Sequence, residues 1–321
     1  MSEQTLEFES ERSFHKLYGE DPENLRIIEN SLGLRVVARG NILMMEGEER
    51  EISQCEELFK LLELGREQGM ITKKLDFMRF LEKVSKGRGH EIRNLLKDPL
   101  VLKIRKKSVV PRNLGQRRFL DLILKNDLVF GIGPAGTGKT FLAMIAALHS
   151  LLEGKVQRIV LARPAVEAGE ALGFLPGDLE EKLLPYLRPL YDAMDEVLGP
   201  VEARKLVETG VVEIAPLAYM RGRTLGKCFA LLDEAQNTTR SQMMMFLTRL
   251  GEGSKMVVTG DLTQIDLPPR EESGLVEARR LLKKVPGLYF HEFDHDDVVR
   301  HPLVSAIISA YQPPASNNKK I

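Results

Sequence analysis

The chain has 321 residues, and its 46 lysines and arginines balance its 46 aspartates and glutamates, so the formal net charge is zero. This balance excludes a bulk electrostatic attraction to nucleic acid or anionic lipid, and any such binding would need a local basic surface. The two cysteines lie far apart in the sequence, which excludes a disulfide framework and a paired-cysteine zinc motif. Because the N-terminus lacks an apolar core and no apolar stretch is long enough to span a bilayer, we expect a cytoplasmic protein without membrane association.

The first third of the chain divides into three regions by composition. Residues 1–20 are polar and acidic, which predicts a disordered N-terminus. Residues 21–86 predict a small α+β module, loosely similar to a KH domain but without a clear G-x-x-G loop. Its predicted elements are strands at 34–37 and 42–45 and helices at 25–32, 52–67 and 74–84. Residues 87–111 are rich in lysine and arginine and are predicted to be a basic linker.

Residues 112–312 repeat a strand-then-helix pattern. The apolar runs in this region are nearly continuous rather than alternating, which is typical of strands buried on both faces of a parallel sheet. These runs are 127–132, 158–162, 211–215, 228–232, 255–259 and 288–293. The pattern predicts an α/β, doubly wound fold with helices on both faces of the sheet. Residues 313–321 are predicted to form a disordered tail.

The clearest motif follows the first of these strands. Residues 133–140 match the phosphate-loop pattern G-x-x-x-x-G-K-[ST] at every fixed position, with an apolar strand before the loop and a helix after it. Backbone N–H groups of such a loop point at phosphate oxygens, the lysine adds positive charge, and the final hydroxyl coordinates Mg²⁺. The predicted ATP-binding residues are Gly133, Pro134, Ala135, Gly136, Thr137, Gly138, Lys139 and Thr140, and Lys139 is also a predicted catalytic residue.

Two carboxylates end the strand at 228–232. We predict that Asp233 holds Mg²⁺ and that Glu234 polarises the attacking water, a pairing that favours ATP hydrolysis over kinase or GTPase chemistry. The strand candidates at 158–162 and 211–215 lie between this motif and the phosphate loop, which predicts an inserted strand of the RecA-like kind. Gln264, beyond the next strand, is predicted to touch the γ-phosphate or orient the water.

Several motifs together resemble the PhoH-like protein family, across about residues 110–312. They are the phosphate loop, Arg163–Glu170, Leu172–Gly177, Asp233–Asn237, Gly260–Pro268 and Val298–Val304. The resemblance implies an ATPase core similar to the first motor domain of superfamily 1 helicases. Under it, Gln116 looks like the glutamine that reads adenine, and Arg300 looks like an arginine finger. Since few residues follow 312, we expect Arg300 to act in trans within an oligomer.

The resemblance also implies a role in RNA metabolism. A Mg²⁺-dependent ATPase of this family is expected to act on RNA, with unwinding in ribosomal RNA maturation as one form of that activity. The implied partners are RNA, a YbeY-type endoribonuclease and further copies of the chain in a ring. The alternative function is an ATP-switched partner that positions an endoribonuclease without unwinding RNA. A ring ATPase acting on protein is a third reading.

Overall fold

A computed structural model describes residues 2–70, 74–105, 107–164 and 179–299, together with 304 and 307. The predicted tail at 313–321 lies outside these residues. The chain divides into two compact units. The first contains residues 1–101 and 110–117, and the second contains 102–109 and 118–321.

Within its described residues, the first unit contains a three-stranded antiparallel sheet and five helices. Strands β1 and β2 both pair with the central β3. The elements are β1 (Ser2–Glu7), α1 (Glu11–Leu17), α2 (Glu23–Leu32), β2 (Arg35–Arg39), β3 (Ile42–Gly47), α3 (Glu49–Glu67), α4 (Lys74–Ser85) and α5 (Gly89–Lys97). A tight turn joins β2 to β3 with Gly40 at φ 61°, a left-handed conformation that glycine adopts without strain. The helices and strands predicted between residues 25 and 84 are therefore present, and the likeness to KH domains stays a prediction.

The prediction that residues 1–20 are disordered was wrong. Strand β1 pairs with β3 along its whole length, and Phe14 of α1 is fully buried. Phe8 stacks on Phe14 with ring centroids 4.4 Å apart. Polar residues dominate this segment, so its composition hides the few apolar side chains that fix it to the core.

The prediction of a linker at 87–111 was also wrong. Ile92, Leu95 and Leu96 form a buried face on α5, spaced three and four residues apart as helix packing requires. The chain then forms a short hairpin that belongs to the second unit, with strands β4 (Leu102–Ile104) and β5 (Lys107–Val109). Basic residues of this hairpin have partners there, since Arg105 forms an ion pair with Glu202 at 2.6 Å.

The second unit is built on a six-stranded sheet in which every pairing is parallel. The unit boundary falls inside α6 (Leu114–Lys125). The elements that follow are β6 (Leu128–Ile132), α7 (Lys139–Leu152), β7 (Arg158–Arg163), α8 (Leu179–Leu198), α9 (Pro200–Glu208), β8 (Val212–Pro216), β9 (Cys228–Leu232), α10 (Arg240–Leu247), β10 (Lys255–Gly260), α11 (Gly274–Leu282) and β11 (Leu288–Glu292). Most residues of β6, β7, β9 and β10 are buried, as expected for a sheet covered on both faces. The predicted α/β, doubly wound fold is confirmed.

The order of strands corrects one expectation. Across the sheet the strands run β11, β6, β10, β9, β7 and β8. The strand between the phosphate-loop strand β6 and the Asp233 strand β9 is therefore β10, whereas β7 and β8 lie on the far side of β9. Position along the chain did not give position in the sheet, because helical crossovers let a strand insert between two earlier ones.

This strand order positions the candidate site. The carboxyl ends of β6, β10, β9 and β7 lie side by side at one edge of the sheet, which is the ligand-binding edge of open parallel sheets. The residues that follow these strands are the phosphate loop, Asp261, Asp233 and, at the end of β7, Arg163 itself. Within the described ranges, no helix is long and apolar enough to cross a membrane.

Candidate phosphate and metal site

The phosphate loop connects β6 to the N-terminus of α7. Gly136 and Gly138 have φ values of 88° and 83°, which side chains with a Cβ rarely adopt. A Cβ on Gly133 would lie 2.6 Å from the Cβ of Phe293, so this position also requires glycine. With these glycines, the loop turns from the end of β6 into the N-terminus of α7, where backbone N–H groups and the helix dipole favour an anion.

Lys139 is the first residue of α7, and only 9% of its surface is exposed. Its Nζ donates hydrogen bonds to the carbonyl oxygens of Gly133 at 2.6 Å and Pro134 at 2.8 Å. The ammonium group thus lies across the loop, held by backbone carbonyls. A phosphate entering the loop would offer it a charged acceptor in place of neutral ones, which forms stronger hydrogen bonds.

Asp233 is joined to the phosphate loop through Thr140. The Thr140 hydroxyl donates to Oδ1 of Asp233 at 2.6 Å, and the hydroxyl of Thr259 on β10 donates to the same oxygen at 2.8 Å. Asp233 is 4% exposed, so these hydrogen bonds offset the cost of burying its charge. The predicted pair for Mg²⁺, Thr140 and Asp233, is in direct contact.

These oxygen ligands suit Mg²⁺. Magnesium in nucleotide sites takes one or two protein oxygens and completes its octahedral shell with water and phosphate. Among the described residues, no group of three or more histidine, cysteine, aspartate or glutamate side chains could hold a metal without such help. A hydroxyl beside a buried carboxylate fits a metal that arrives with a nucleotide.

Asp261, the residue after β10, holds the phosphate loop through a hydrogen bond, a role that the sequence analysis did not assign. Its Oδ2 accepts a hydrogen bond from the backbone N–H of Ala135 at 2.9 Å. Its Oδ1 accepts from both the N–H and the hydroxyl of Thr263, at 3.0 and 2.7 Å. The signal in the sequence was an acidic residue directly after a buried strand, but only the strand order shows that β10 adjoins the loop.

Glu234 has a left-handed backbone, with φ 53° and ψ 37°. This conformation costs a residue with a Cβ roughly 1–2 kcal/mol, and such strain often occurs at functional sites. Its Oε1 forms an ion pair with Nη2 of Arg163 at 3.1 Å, and its Oε2 accepts a hydrogen bond from Nε2 of Gln236 at 2.6 Å. Both carboxylate oxygens are thus held, by two residues that the sequence analysis did not select for the site.

Gln236 connects Glu234 to the loop after β10. Its side chain is completely buried, its Nε2 also donates to the backbone oxygen of Gln264 at 3.1 Å, and its Oε1 accepts from the N–H of Asp261 at 3.0 Å. The predicted residue Gln264 therefore reaches this network through its backbone, while its side chain is exposed. Its role toward the γ-phosphate stays a prediction.

The remaining predicted residues have different positions. Gln116 belongs to the first unit, where its Oε1 accepts from the N–H of Arg112 at 2.8 Å, and its role toward adenine stays a prediction. Arg300 lies outside the described residues. Its neighbour Val299 donates a backbone hydrogen bond to the oxygen of Gly136 at 2.9 Å, so the chain reaches the phosphate loop just before Arg300.

A phosphate loop at the carboxyl edge of a six-stranded parallel sheet, with a buried Asp on the second strand over, defines a P-loop NTPase fold. The family model described as "PhoH-like protein" matches residues 108–312. The chain belongs to the PhoH-like protein family. It is 48% identical over 296 residues to a PhoH-like protein of Bacillus subtilis (strain 168), covering 92% of each chain. A PhoH-like protein of Mycobacterium tuberculosis (strain H37Rv) is 49% identical over 296 residues, covering 92% of this chain and 84% of that protein.

The search of solved structures also finds more distant proteins. The large terminase from a thermophilic bacteriophage is 14% identical, with a TM-score of 0.38, over 63% of this chain and 50% of that one. A likeness at this level says nothing about activity.

Proposed function

We propose that this protein binds Mg-ATP at residues 133–140 and hydrolyses it. The observation that carries the proposal is the 2.6 Å hydrogen bond between Thr140 and Asp233, which are 93 residues apart in the chain. It places a hydroxyl of the phosphate loop and a buried carboxylate where one Mg²⁺ ion could contact both sides of the site. A glycine-rich turn that binds no nucleotide would not require a hydroxyl and a buried carboxylate in contact beside it.

Each residue of the site has a separate role in the proposed reaction. Mg²⁺, when bound, neutralises charge on the phosphate oxygens. The backbone N–H groups of the loop and the ammonium of Lys139 hold the β- and γ-phosphates and stabilise the charge that develops on them. Thr140 and Asp233 fix the position of the metal. Glu234 accepts a proton from water and orients that water toward the γ-phosphate.

Steady-state ATP turnover with and without Mg²⁺ tests this proposal. Lys139→Ala is expected to lower kcat by about a hundredfold or more, because a charged donor to the developing charge is lost. Glu234→Gln is expected to lower kcat by a similar factor while nucleotide binding persists. Lys155→Ala removes an exposed lysine of the same unit and serves as the control. Turnover that survives in Lys139→Ala would contradict the proposal.

We further propose that hydrolysis is coupled to RNA, as an unwinding or remodelling activity in ribosomal RNA maturation. The support is the resemblance of the motifs, since the net charge of zero gives no bulk attraction to RNA. Turnover measured with single-stranded and structured RNA tests the coupling, and a severalfold rise would support it. Turnover indifferent to RNA, with nucleotide-dependent affinity for a YbeY-type endoribonuclease, would favour the ATP-switched partner instead.

Assembly into a homo-oligomeric ring is also a proposal. The expected arginine finger, Arg300, would then serve a neighbouring subunit. The hydrogen bond from Val299 to Gly136 bears on this, because it brings the chain before Arg300 to the phosphate loop of the same molecule. Mixing Lys139→Ala with Arg300→Ala protein decides whether Arg300 acts at a neighbouring site or at the site of its own chain.

A further inference from the structure

Arg163 lies beside the predicted catalytic carboxylate. It is the last residue of β7, which pairs in parallel with β9, and the N–H of Asp233 donates to the oxygen of Ala162 at 2.9 Å. This pairing brings the guanidinium of Arg163 to 3.1 Å from Glu234. Neither side chain is fully buried, with exposed fractions of 20% and 32%, so both can exchange partners without passing through the core.

The ion pair competes with the chemistry expected of Glu234. A carboxylate that orients water must accept a hydrogen bond from that water, and here Arg163 and Gln236 each occupy part of the accepting capacity of one oxygen. A left-handed backbone at Glu234 adds strain to this arrangement. The carboxylate of Glu234 is therefore oriented by two protein groups, Arg163 and Gln236.

A terminal phosphate is a suitable competitor for the same guanidinium. Arginine donates paired, planar hydrogen bonds to phosphate and to carboxylate alike. A water between Glu234 and a γ-phosphate would lie about 3 Å from each. Because Glu234 directly follows Asp233, which is hydrogen-bonded to Thr140 of the phosphate loop, the guanidinium 3.1 Å from Glu234 lies at the same end of the site as the loop.

We propose that Arg163 is a γ-phosphate sensor that exchanges partners when ATP binds. In the nucleotide-free protein it pairs with Glu234, and with ATP bound it pairs with the γ-phosphate, which releases Glu234 to orient water. ADP has no γ-phosphate and leaves the ion pair intact. The inference rests on the proposed ATP site and adds to it a residue that distinguishes ATP from ADP.

Isothermal titration calorimetry with Mg²⁺ tests the inference by comparing ADP with the β,γ-imido analogue of ATP. Arg163→Ala is expected to weaken binding of the analogue by about ten- to hundredfold, the value of a hydrogen bond to a charged group, while ADP binding stays unchanged. The affinity of Arg163→Lys for the analogue should lie between those of the wild type and Arg163→Ala, because lysine keeps the charge but cannot donate the paired, planar hydrogen bonds of a guanidinium. Equal weakening of both nucleotides, or no change in either, would overturn the inference.

A double-mutant cycle gives a readout that a purely structural role would not produce. Glu234→Gln removes the charge that competes for Arg163, so the analogue should bind more tightly relative to ADP. In the double variant with Arg163→Ala this gain should shrink to what the lost repulsion between Glu234 and the γ-phosphate supplies, because no guanidinium remains to transfer. A gain of the same size with and without Arg163 would refute the exchange of partners.

Two further variants separate this inference from the proposed function. Arg279→Ala breaks a comparable ion pair, with Glu292 at 2.7 Å, and should leave both affinities unchanged. Lys139→Ala should weaken ADP and analogue together. If the wild type binds neither nucleotide, the proposed ATP site fails. If the wild type binds both nucleotides and Arg163→Ala binds each of them with the same affinity as the wild type, only the proposed role of Arg163 as a sensor fails.

Discussion

Replacing Asp233 should separate its structural role from its role toward the metal. Its Oδ1 accepts hydrogen bonds from Thr140 and Thr259 in a site that is 4% exposed. Asparagine keeps an acceptor oxygen of the same shape but loses the negative charge. Alanine loses the acceptor and leaves the two hydroxyls to find other partners.

The magnitudes follow from these contacts. Each hydrogen bond to a charged acceptor contributes roughly 1.5–3 kcal/mol, and removing the carboxylate also removes its own cost of burial. We therefore expect Asp233→Ala to lower the free energy of unfolding of this unit by about 2–4 kcal/mol. Asp233→Asn should lower it by about 1 kcal/mol, because both hydroxyls keep an acceptor.

Two assays measure the two roles. Hydrogen exchange of the β9 and β10 amides reports the stability of this unit, which is needed because the chain has two units and no tryptophan. Nucleotide affinity measured with Mg²⁺ and with excess EDTA reports how much the metal contributes to nucleotide binding. The wild type should lose affinity when Mg²⁺ is removed, whereas Asp233→Asn should show little dependence on Mg²⁺.

Two results would refute this reasoning. A wild-type dependence on Mg²⁺ that persists in Asp233→Asn would show that the metal lies elsewhere. Unchanged protection of β9 and β10 in Asp233→Ala would show that the bonds to the two hydroxyls do not stabilise the sheet edge.

Three further predictions test other parts of the structure. Gly260→Ala places a Cβ against a buried leucine side chain of α11, and we expect a loss of about 1–3 kcal/mol in unfolding free energy together with lower ATP turnover; turnover equal to wild type would contradict the packing. Mixing Lys139→Ala with Arg300→Ala should not restore turnover if the arginine serves its own chain, whereas restored turnover would establish action in trans. The guanidinium of Arg223 hydrogen-bonds Glu213 and lowers the pKa of that carboxyl. Because the pKa of Glu213 is lowered in the folded state, the ion pair stabilises the fold above the usual glutamate pKa of about 4.3, and this stability is lost as the pH falls further. We expect Arg223→Ala to lower the free energy of unfolding by about 1 kcal/mol at neutral pH, a small value because the pair is partly exposed. Unfolding curves at acid pH should show a smaller difference between Arg223→Ala and wild type.

Local patterns in the sequence determined the nature of the site. The spacing of residues 133–140 and the strand ending at Asp233 each lie within one short stretch of chain, so neighbouring residue types suffice to predict a phosphate loop and a metal ligand. The same reasoning located the six strands of the sheet, because nearly continuous apolar runs are typical of parallel strands, although the edge strand β11 has no buried residue. It failed for residues 2–17, where burial depends on Phe8 and Phe14 meeting a distant core.

Tertiary structure alone decided which residues meet at that site. Sequence order suggested that β7 or β8 separates the phosphate loop from Asp233, and only the folded sheet shows β10 in that place. That position brings Asp261 to the loop and Thr259 to Asp233, and the position of β7 brings Arg163 to Glu234. Such contacts join residues far apart in the chain, and crossover connections permit many strand orders for one pattern of apolar runs. The chemistry of each group was therefore readable from the sequence, whereas its partners followed from the order in which the strands packed.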